Sequence, residues 1–401
     1  MSRRPAIGFV LTCVFLDALG IGLIIPVLPH LIGSLANGKD EQTIWYGIIM
    51  ISYGLMQFCF APILGALSDR IGRRPVLLNG ILGLALMMIV PALSTSLWPI
   101  LLSRIVGGMM SSNIVVAQAY IADVTSQDSR ISSFGKIGAI FGIAFVLGPA
   151  LGGVLGQIDP RLPFLVASAI CALNFLYGLF VLPESLTEKN TAPLSFKSLN
   201  PFGAILNLGK LTGIRPFLLI IVLFTMAQSL MQCTWALYGE YRYGWTPLSI
   251  GLSIFALGIS ISLTQGVILP RLTQRLVADK IIRLGLSIGA ITMLLIGFSP
   301  WGLVSLCLIC LFAVTGIVGP TIQGEISRRC ESTNQGVNMG AVSSLNSFTS
   351  AVSPMIGTPL LMVTSRHTQN LWLAGTPYFV CSLMLMVALG IALYVGNISE
   401  R

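Results

Sequence analysis

The sequence predicts an all-α membrane protein in which twelve transmembrane helices form two pseudo-symmetric six-helix bundles. The chain is 55% hydrophobic and only 9% charged, whereas a soluble globular domain carries roughly 25% charged residues. Apolar segments long enough to cross a bilayer occur twelve times, and two sequence patterns recur at one offset along the chain. The segments lack the alternating pattern of barrel strands, which leaves helices as the way to satisfy backbone groups in lipid.

The twelve predicted segments each offer the roughly 20 apolar residues that span a hydrocarbon core about 30 Å thick. They are 6–29, 44–64, 76–94, 98–121, 137–157, 163–182, 216–238, 248–269, 281–299, 301–322, 337–364 and 372–396. The first segment contains an aspartate and is too long for a signal-peptide core, so we interpret it as a retained helix.

A long polar interval from Pro183 to Arg215 leaves six predicted spans on each side. We therefore expect an N-terminal six-helix bundle at 1–182, a cytoplasmic linker at 183–215 and a C-terminal six-helix bundle at 216–401. An offset of 205 residues places Leu67–Arg70 on Leu272–Arg275, and the same offset places 148–152 on 353–357. Two matches at one offset predict duplicated halves with a substrate site between them.

Most of the 23 basic residues lie in loops that share one side with both termini. The positive-inside rule then places both termini in the cytoplasm. This asymmetry accounts for the net charge of +9, so we infer no nucleic-acid partner.

The sequence offers no nucleophile constellation, metal cluster or phosphate-binding loop. Cys307 and Cys310 form a CxxC inside an apolar segment without further ligands nearby, which indicates packing rather than metal or redox chemistry. We therefore predict no cofactor and no metal, and we expect neither an enzyme nor an ATP-driven pump.

The string Gly65–Pro75, GALSDRIGRRP, predicts a water-exposed loop between the second and third helices. Its charges, Asp69, Arg70, Arg73 and Arg74, are too dense to lie in lipid. Gly65 and Gly72 permit close approach of helix ends, and the acidic and basic side chains can pair across the turn.

Asp17 lies ten or so residues into the first segment, which is roughly 15 Å deep at 1.5 Å per residue. A carboxylate at that depth costs several kcal/mol unless it is paired, hydrated or protonated. The functional interpretation is a site for a proton or a cationic substrate. The alternative is a protonated side chain in an ordinary packing contact.

Arg104 lies about 9 Å from the outer face by the same helical rise. Its side chain could reach the interface, or it could pair with Asp17, whose estimated depth differs by only about 6 Å.

Small residues at Gly148, Pro149, Gly152 and Gly153 permit close helix contact and loosen the helix, which predicts either ordinary packing or a hinge. Polar uncharged side chains within spans predict either interhelical hydrogen bonds or a cavity lining. They are Tyr53, Gln57, Asn113, Gln118, Asn174, Gln228, Gln232, Gln265, Asn338 and Asn346. Trp235 could add an aromatic contact to a cavity suited to an amphipathic substrate.

Several stretches in order along the chain resemble the major facilitator superfamily, and more narrowly its twelve-helix drug:proton antiporters of the tetracycline-efflux type. They are 16–29, 61–75, 121–123, 148–153 and the segment from Trp235 to Trp245. The resemblance implies that Asp69, Arg70, Arg73 and Asp123 form a cytoplasmic gate. It also implies that Asp17 and Arg104 serve proton coupling in a central cavity, and that 148–153 is the antiporter motif.

The chain departs from the tetracycline-efflux pattern at three positions. Met87, Ile261 and Ala290 stand where the best-known members have an acidic residue, a histidine and an acidic residue, which places tetracycline in doubt as a substrate. We expect a proton-coupled exporter of a small amphipathic compound or drug, a monomer spanning the lipid of a bacterial inner membrane. The alternatives are an exporter of an endogenous metabolite such as a siderophore and, less favoured, an importer or facilitator.

Overall fold

The computed structural model describes residues 7–111, 113–124, 127–186, 215–329, 335–367 and 370–399. Within these ranges the regular structure is helical. The first half contains α1 (Ile7–Ile24), α2 (Leu28–Leu35), α3 (Lys39–Ile71), α4 (Arg73–Leu93), α5 (Leu97–Met110), α6 (Asn113–Val124), α7 (Gln127–Ile158) and α8 (Leu162–Val181). The second half contains α9 (Arg215–Tyr243), α10 (Pro247–Leu263), α11 (Leu269–Thr273), α12 (Ala278–Phe298), α13 (Gly302–Phe312), α14 (Val318–Arg329), α15 (Gln335–Arg366), α16 (Leu371–Ala374) and α17 (Thr376–Ser399).

Every predicted transmembrane segment falls on helical structure. Among the described residues, ten helical stretches are long and apolar enough to cross a membrane, and a shorter apolar stretch, Gly142–Ile158, lies in α7. The remaining predicted segment, 337–364, lies in α15. The helical part of the expected architecture is therefore present along the whole described chain.

Two predicted spans of the first half are interrupted. The first was expected to continue to residue 29, but α1 ends at Ile24 and α2 begins at Leu28. Pro26 and Pro29 explain the break, because proline lacks the N–H that a helix interior needs but is tolerated in a first turn. The fourth is divided after Met110, where the Ser111 hydroxyl donates to the Gly108 carbonyl at 3.0 Å.

The expected loop between the second and third spans is almost entirely helical. α3 continues to Ile71 and α4 begins at Arg73, so Gly72 alone separates them. Its φ of 119° is a conformation that only glycine adopts readily. The charged string is therefore a sharp corner between two helices, the α3–α4 junction (Ser68–Arg74).

Two spans of the second half contain irregular turns that meet each other. A π-helical turn, Thr264–Ile268, follows α10, and a 3₁₀ turn, Ala313–Ile317, follows α13. The Gln265 side chain donates to the Gly316 carbonyl at 3.3 Å. Such turns leave backbone carbonyls without their usual helical partners, and the amide satisfies one of them.

The chain divides into two compact units, Met1–Asn200 with Thr246–Phe255, and Pro201–Trp245 with Ala256–Arg401. The beginning of α10 thus groups with the first unit. Most of the expected linker, 183–215, lies outside the described residues, so the boundaries at 182 and 216 stay a prediction.

The same close contact occurs in each half. A Cβ atom added at Gly152 of α7 would collide with the backbone of Leu23 in α1. A Cβ atom added at Gly357 of α15 would come within 2.9 Å of Thr234 in α9. The two glycines are related by the offset found in the sequence, so the repeat predicted from two short motifs corresponds to a repeated helix contact.

Candidate functional site

A buried polar group surrounds Asp17, whose residue is only 7% exposed. Asn174 of α8 is fully buried, and its Nδ2 donates both to Asp17 Oδ1 at 3.0 Å and to the Cys13 carbonyl at 3.0 Å. Gly20 allows α8 to approach, because a Cβ atom there would come within 3.2 Å of Cys171 Sγ. The carboxyl is thus held at one place between α1 and α8.

Arg104 is buried beside two aromatic rings. It is 8% exposed, so it does not extend to the surface. Its guanidinium carbon lies 5.8 Å from the ring centre of Tyr53 and 5.8 Å from that of Phe164, which is cation–π contact with two rings. The pairing with Asp17 considered from the sequence stays a prediction.

Asp17 and Arg104 nevertheless share a neighbourhood. Both interact electrostatically with the Tyr53 side chain of α3. The Nε and Nη2 atoms of Arg104 are buried without hydrogen-bond partners. A buried carboxyl and a buried guanidinium therefore both interact with the same tyrosine, so the electrostatics of this group depend on the protonation of Asp17.

The α3–α4 junction is organised by Arg73, which is 7% exposed. Arg73 Nη1 lies 2.5 Å from Asp69 Oδ1 and Nε lies 3.1 Å from Asp123 Oδ2 at the end of α6. Nη1 also donates to Ser68 Oγ at 2.6 Å. The structure thus brings together three of the predicted gate residues, Asp69, Arg73 and Asp123.

The other predicted gate residues lie around this group. Arg74 Nη2 donates to the Leu179 carbonyl of α8 at 2.6 Å, and Arg70 is half-buried. Gly65 faces α6, because a Cβ atom there would lie 3.5 Å from Val115.

Sequence reasoning missed Glu184, which was assigned to the linker. Its carboxylate accepts from the backbone N–H groups of Arg73 at 2.9 Å and Arg74 at 3.2 Å, the first residues of α4. A carboxylate at a helix N-terminus satisfies donors that lack intrahelical partners and stabilises the helix dipole. A side chain at Gly72 would collide with this carboxylate. The only sequence signal is an acidic residue just after a span, which does not name its partner.

Asp123 has a second partner from the same segment. Ser185 Oγ donates to Asp123 Oδ2 at 3.0 Å. Residues 184 and 185 therefore connect the end of the sixth span to the α3–α4 junction and to Asp123 of α6.

The predicted antiporter motif packs closely on two sides of α7. On one side Gly148 faces Gly22 of α1, where a Cβ atom would approach to 2.8 Å, and Gly152 faces Leu23. On the other side Gly153 faces the beginning of α10, where a Cβ atom would approach the Pro247 carbonyl to 2.7 Å. Pro149 lies inside α7, and its carbonyl borders Gly251. Helix backbones can approach this closely only where side chains are absent.

The predicted cavity residues of the first half occupy different surroundings. Tyr53 and Gln57 are partly exposed on α3, and Gln118 of α6 is exposed. The side chain of Asn113 lies outside the described residues.

In the second half, Gln228 is partly exposed and Gln232 exposed on α9, one turn apart. Trp235 is 2% exposed and lies edge-on to Trp245 and Tyr378, with ring centres 5.5 and 6.1 Å away. It therefore packs against an aromatic residue that follows α9 and one at the beginning of α17, and its place in a substrate cavity stays a prediction. Among the described residues, no group of three or more His, Cys, Asp or Glu side chains could hold a metal ion.

A family model described as Major Facilitator Superfamily matches residues 10–354. The chain belongs to the major facilitator superfamily. The resemblance inferred from the motifs is thereby confirmed, and so is the expected all-α transmembrane fold. Members of the superfamily are secondary transporters, so the chain is a transporter and not an enzyme. It is a multi-pass protein of the inner membrane.

Curated relatives match nearly the whole chain. It is 34% identical to the tetracycline resistance protein, class C, of Escherichia coli over 95% of this chain and 96% of the relative. It is 35% identical to the class D protein of Salmonella ordonez, with 97% of each chain covered. It is 27% identical to multidrug resistance protein 2 of Bacillus subtilis (strain 168), covering 98% and 95% of the two chains.

Solved structures share the fold at lower identity. A bacterial homologue of the human lysosomal transporter Spinster, inward-facing and unoccupied, matches with a TM-score of 0.76 at 13% identity over 98% of this chain and 96% of that one. The human organic anion transporter MFSD10 matches with a TM-score of 0.71 at 23% identity over 96% and 98%. These likenesses establish the fold; the roles of individual residues stay predictions.

Proposed function

We propose that this chain exports a small amphipathic compound in exchange for protons by alternating access. The observation that carries the proposal is the buried Asp17 carboxyl, which accepts a hydrogen bond from Asn174 in the first unit. A buried carboxyl that can take up and release a proton couples transport to a proton gradient, because its two charge states differ strongly in their cost of burial. The resistance names of the similar proteins support export over import.

In this proposal the α3–α4 junction is a cytoplasmic gate, and both termini lie in the cytoplasm. Its ion pairs form in one conformation and break in the other, so each pair biases the equilibrium between the two states. Asp69, Arg73 and Asp123 supply the pairs, and Glu184 anchors the end of α4 beside them. The Gly148–Gly153 segment serves as the hinge, where close backbone contact lets helices slide without moving side chains.

The substrate is proposed to be amphipathic and other than tetracycline. Met87 lies beside Gly107 of α5, where a Cβ atom would approach to 3.7 Å. Ile261 lies beside Gly316, and Ala290 is buried with its carbonyl accepting from Ser382 at 2.7 Å. Apolar side chains at all three positions remove groups that could bind a charged or metal-bound compound.

The test uses a bacterial host that lacks its own drug pumps. Expression should lower susceptibility to a subset of amphipathic compounds, and adding such a compound to everted vesicles should dissipate an imposed pH gradient. Asp17→Asn should abolish this exchange, because the amide cannot carry the proton, while the protein still inserts into the membrane. Asp40→Asn is the matched control, since Asp40 is exposed at the beginning of α3. Exchange by Asp17→Asn at the wild-type rate would refute Asp17 as the coupling group.

A further inference from the structure

We propose that the Asn174 side-chain amide forms hydrogen bonds with Asp17 in both of its protonation states. It donates a hydrogen bond to the ionised carboxylate and accepts one from the protonated acid. Asn174 would thus be a positioning residue of proton exchange. The inference deepens the proposed function and rests on it.

The first step is the orientation of the amide. Asn174 Nδ2 has two hydrogens, and one is donated to the Cys13 carbonyl and the other to Asp17 Oδ1. A backbone carbonyl can only accept, so the Cys13 contact fixes which end of the amide faces α1. Reversing the amide would place its oxygen against the Cys13 carbonyl oxygen, without a hydrogen between them.

The second step concerns the oxygen atom of the same amide. Asn174 is fully buried, yet its Oδ1 atom has no hydrogen-bond partner. An unsatisfied buried acceptor costs about 1–3 kcal/mol. When a proton binds Asp17 on Oδ2, the new O–H needs an acceptor, and Asn174 Oδ1 is the acceptor that the same residue provides. Acid and amide would then be joined by two hydrogen bonds in place of one.

The proton step changes no bond in Asn174. The O–H bond of Asp17 forms as the proton arrives and breaks as it leaves. Only the hydrogen bond that Asn174 Oδ1 accepts forms and breaks with the proton, so the acid group keeps a hydrogen bond to Asn174 in both charge states. This keeps both states accessible inside the membrane, where an unpartnered state would be too costly to visit during transport.

Other titratable groups face Asp17 from the elements packed around it. Cys13 shares its helix, Cys171 lies on α8, and both interact electrostatically with Asp17. Tyr53 of α3 also interacts with Asp17, and Arg104 of α5 with Tyr53. The described side chains of α7 include no titratable group, and on α6 Tyr120 and Asp123 belong to the end of the helix that contacts residues 183–185. Of these neighbours, Asn174 lies within hydrogen-bond distance of the Asp17 carboxyl, at 3.0 Å.

The experiment is infrared titration of the purified protein in lipid vesicles, without substrate or gradient. The carboxylic acid C=O band that disappears in Asp17→Asn belongs to Asp17. In Asn174→Leu, which keeps the side-chain size, the band should move to higher frequency because its hydrogen bonds are lost. Its pH midpoint should move by less than about one unit, because the ionised form loses one charge-assisted bond of about 1.5–3 kcal/mol and the protonated form loses two neutral bonds of about 1 kcal/mol each. The band frequency is therefore the deciding readout. Asn174→Gln, which retains an amide, should move the frequency less.

Ser168→Ala is the matched control, since Ser168 is a buried α8 residue whose hydroxyl bonds the Ala85 carbonyl at 2.8 Å. It should lower stability without moving the band. An unchanged band frequency in Asn174→Leu would overturn the inference, whatever the outcome of the export assay. If Asn174→Leu does not fold, Asn174→Val takes its place: a band that moves to higher frequency supports the amide partner, and a band unchanged from wild type refutes it. Absence of exchange with an intact titration would refute the proposed function alone.

Discussion

The contact partners of Arg104 are visible only in the three-dimensional structure. Its depth was predictable from helical rise, but its partners depend on how α5 is rotated about its axis. Tyr53 and Phe164 lie on other helices, so no spacing in the sequence relates them to Arg104. The cation–π contacts of Arg104 therefore could not be predicted from the sequence.

Glu184 supports a prediction at the same scale. Glu184→Gln should lower stability by about 1 kcal/mol, because the neutral amide interacts more weakly with the α4 N-terminus than a carboxylate does. Thermal unfolding of the purified protein in lipid or detergent measures the effect. Glu41→Gln is the control, since Glu41 accepts from Asn37 N at 2.7 Å in an exposed local contact. Equal melting temperatures for Glu184→Gln and Glu41→Gln would contradict the capping role.

At the scale of elements, α7 packs closely against α1 on one side and against the beginning of α10 on the other. Gly152 and Gly153 are adjacent in sequence, so they point in different directions around the helix, toward α1 and toward α10. The motif predicted close contact, but not that one short segment would provide it on both sides. Sequence also located nearly every span, yet missed the breaks at Ile24 and Met110, because a run of apolar residues does not report where its hydrogen bonds are interrupted.

Gly152→Ala should destabilise the protein by about 1–3 kcal/mol, since the added methyl group collides with the backbone of Leu23 and forces α1 and α7 apart. Gly142→Ala is a close control, because it lies in the same helix with nothing within 4 Å of the added carbon. That variant should be neutral or slightly stabilising, as alanine is the better helix former. The comparison requires melting temperatures and export rates of both variants. A Gly152→Ala protein as stable and active as Gly142→Ala would show that the close contact is dispensable.

At the scale of the whole molecule, the two halves repeat a helix contact without repeating the charges of the junction. The offset that relates Gly152 to Gly357 places Asp69 on Gln274 and Arg73 on Ala278. The second half thus lacks this pair at the matching positions, although Asp279 and Arg283 pair near the beginning of α12. Duplication was predictable because short motifs survive in both copies, and the asymmetry could be read from the same alignment.

This asymmetry predicts unequal roles in turnover. Arg73→Ala should reduce the maximal export rate by about tenfold, a change of about 1.4 kcal/mol in the barrier, with KM little changed. The reason is that Arg73 contacts the junction and not the Asp17 site. Arg275→Ala, an exposed arginine of the matching segment, should be near wild type. Rate measurements over a range of substrate concentrations separate the two parameters, and a rise in KM at unchanged maximal rate would argue against a gating role.

The contact of Glu184 with α4 has a consequence for mutational scanning. The groups it binds at Arg73 and Arg74 are backbone amides, and almost every substitution leaves a backbone amide intact. A library of alanine variants would therefore record the loss of the Arg74 side chain but not the loss of its N–H. Proline is the one replacement that removes that donor. A fitness map of the α3–α4 junction would underestimate the importance of position 74 unless the proline variant is scored separately from the other substitutions.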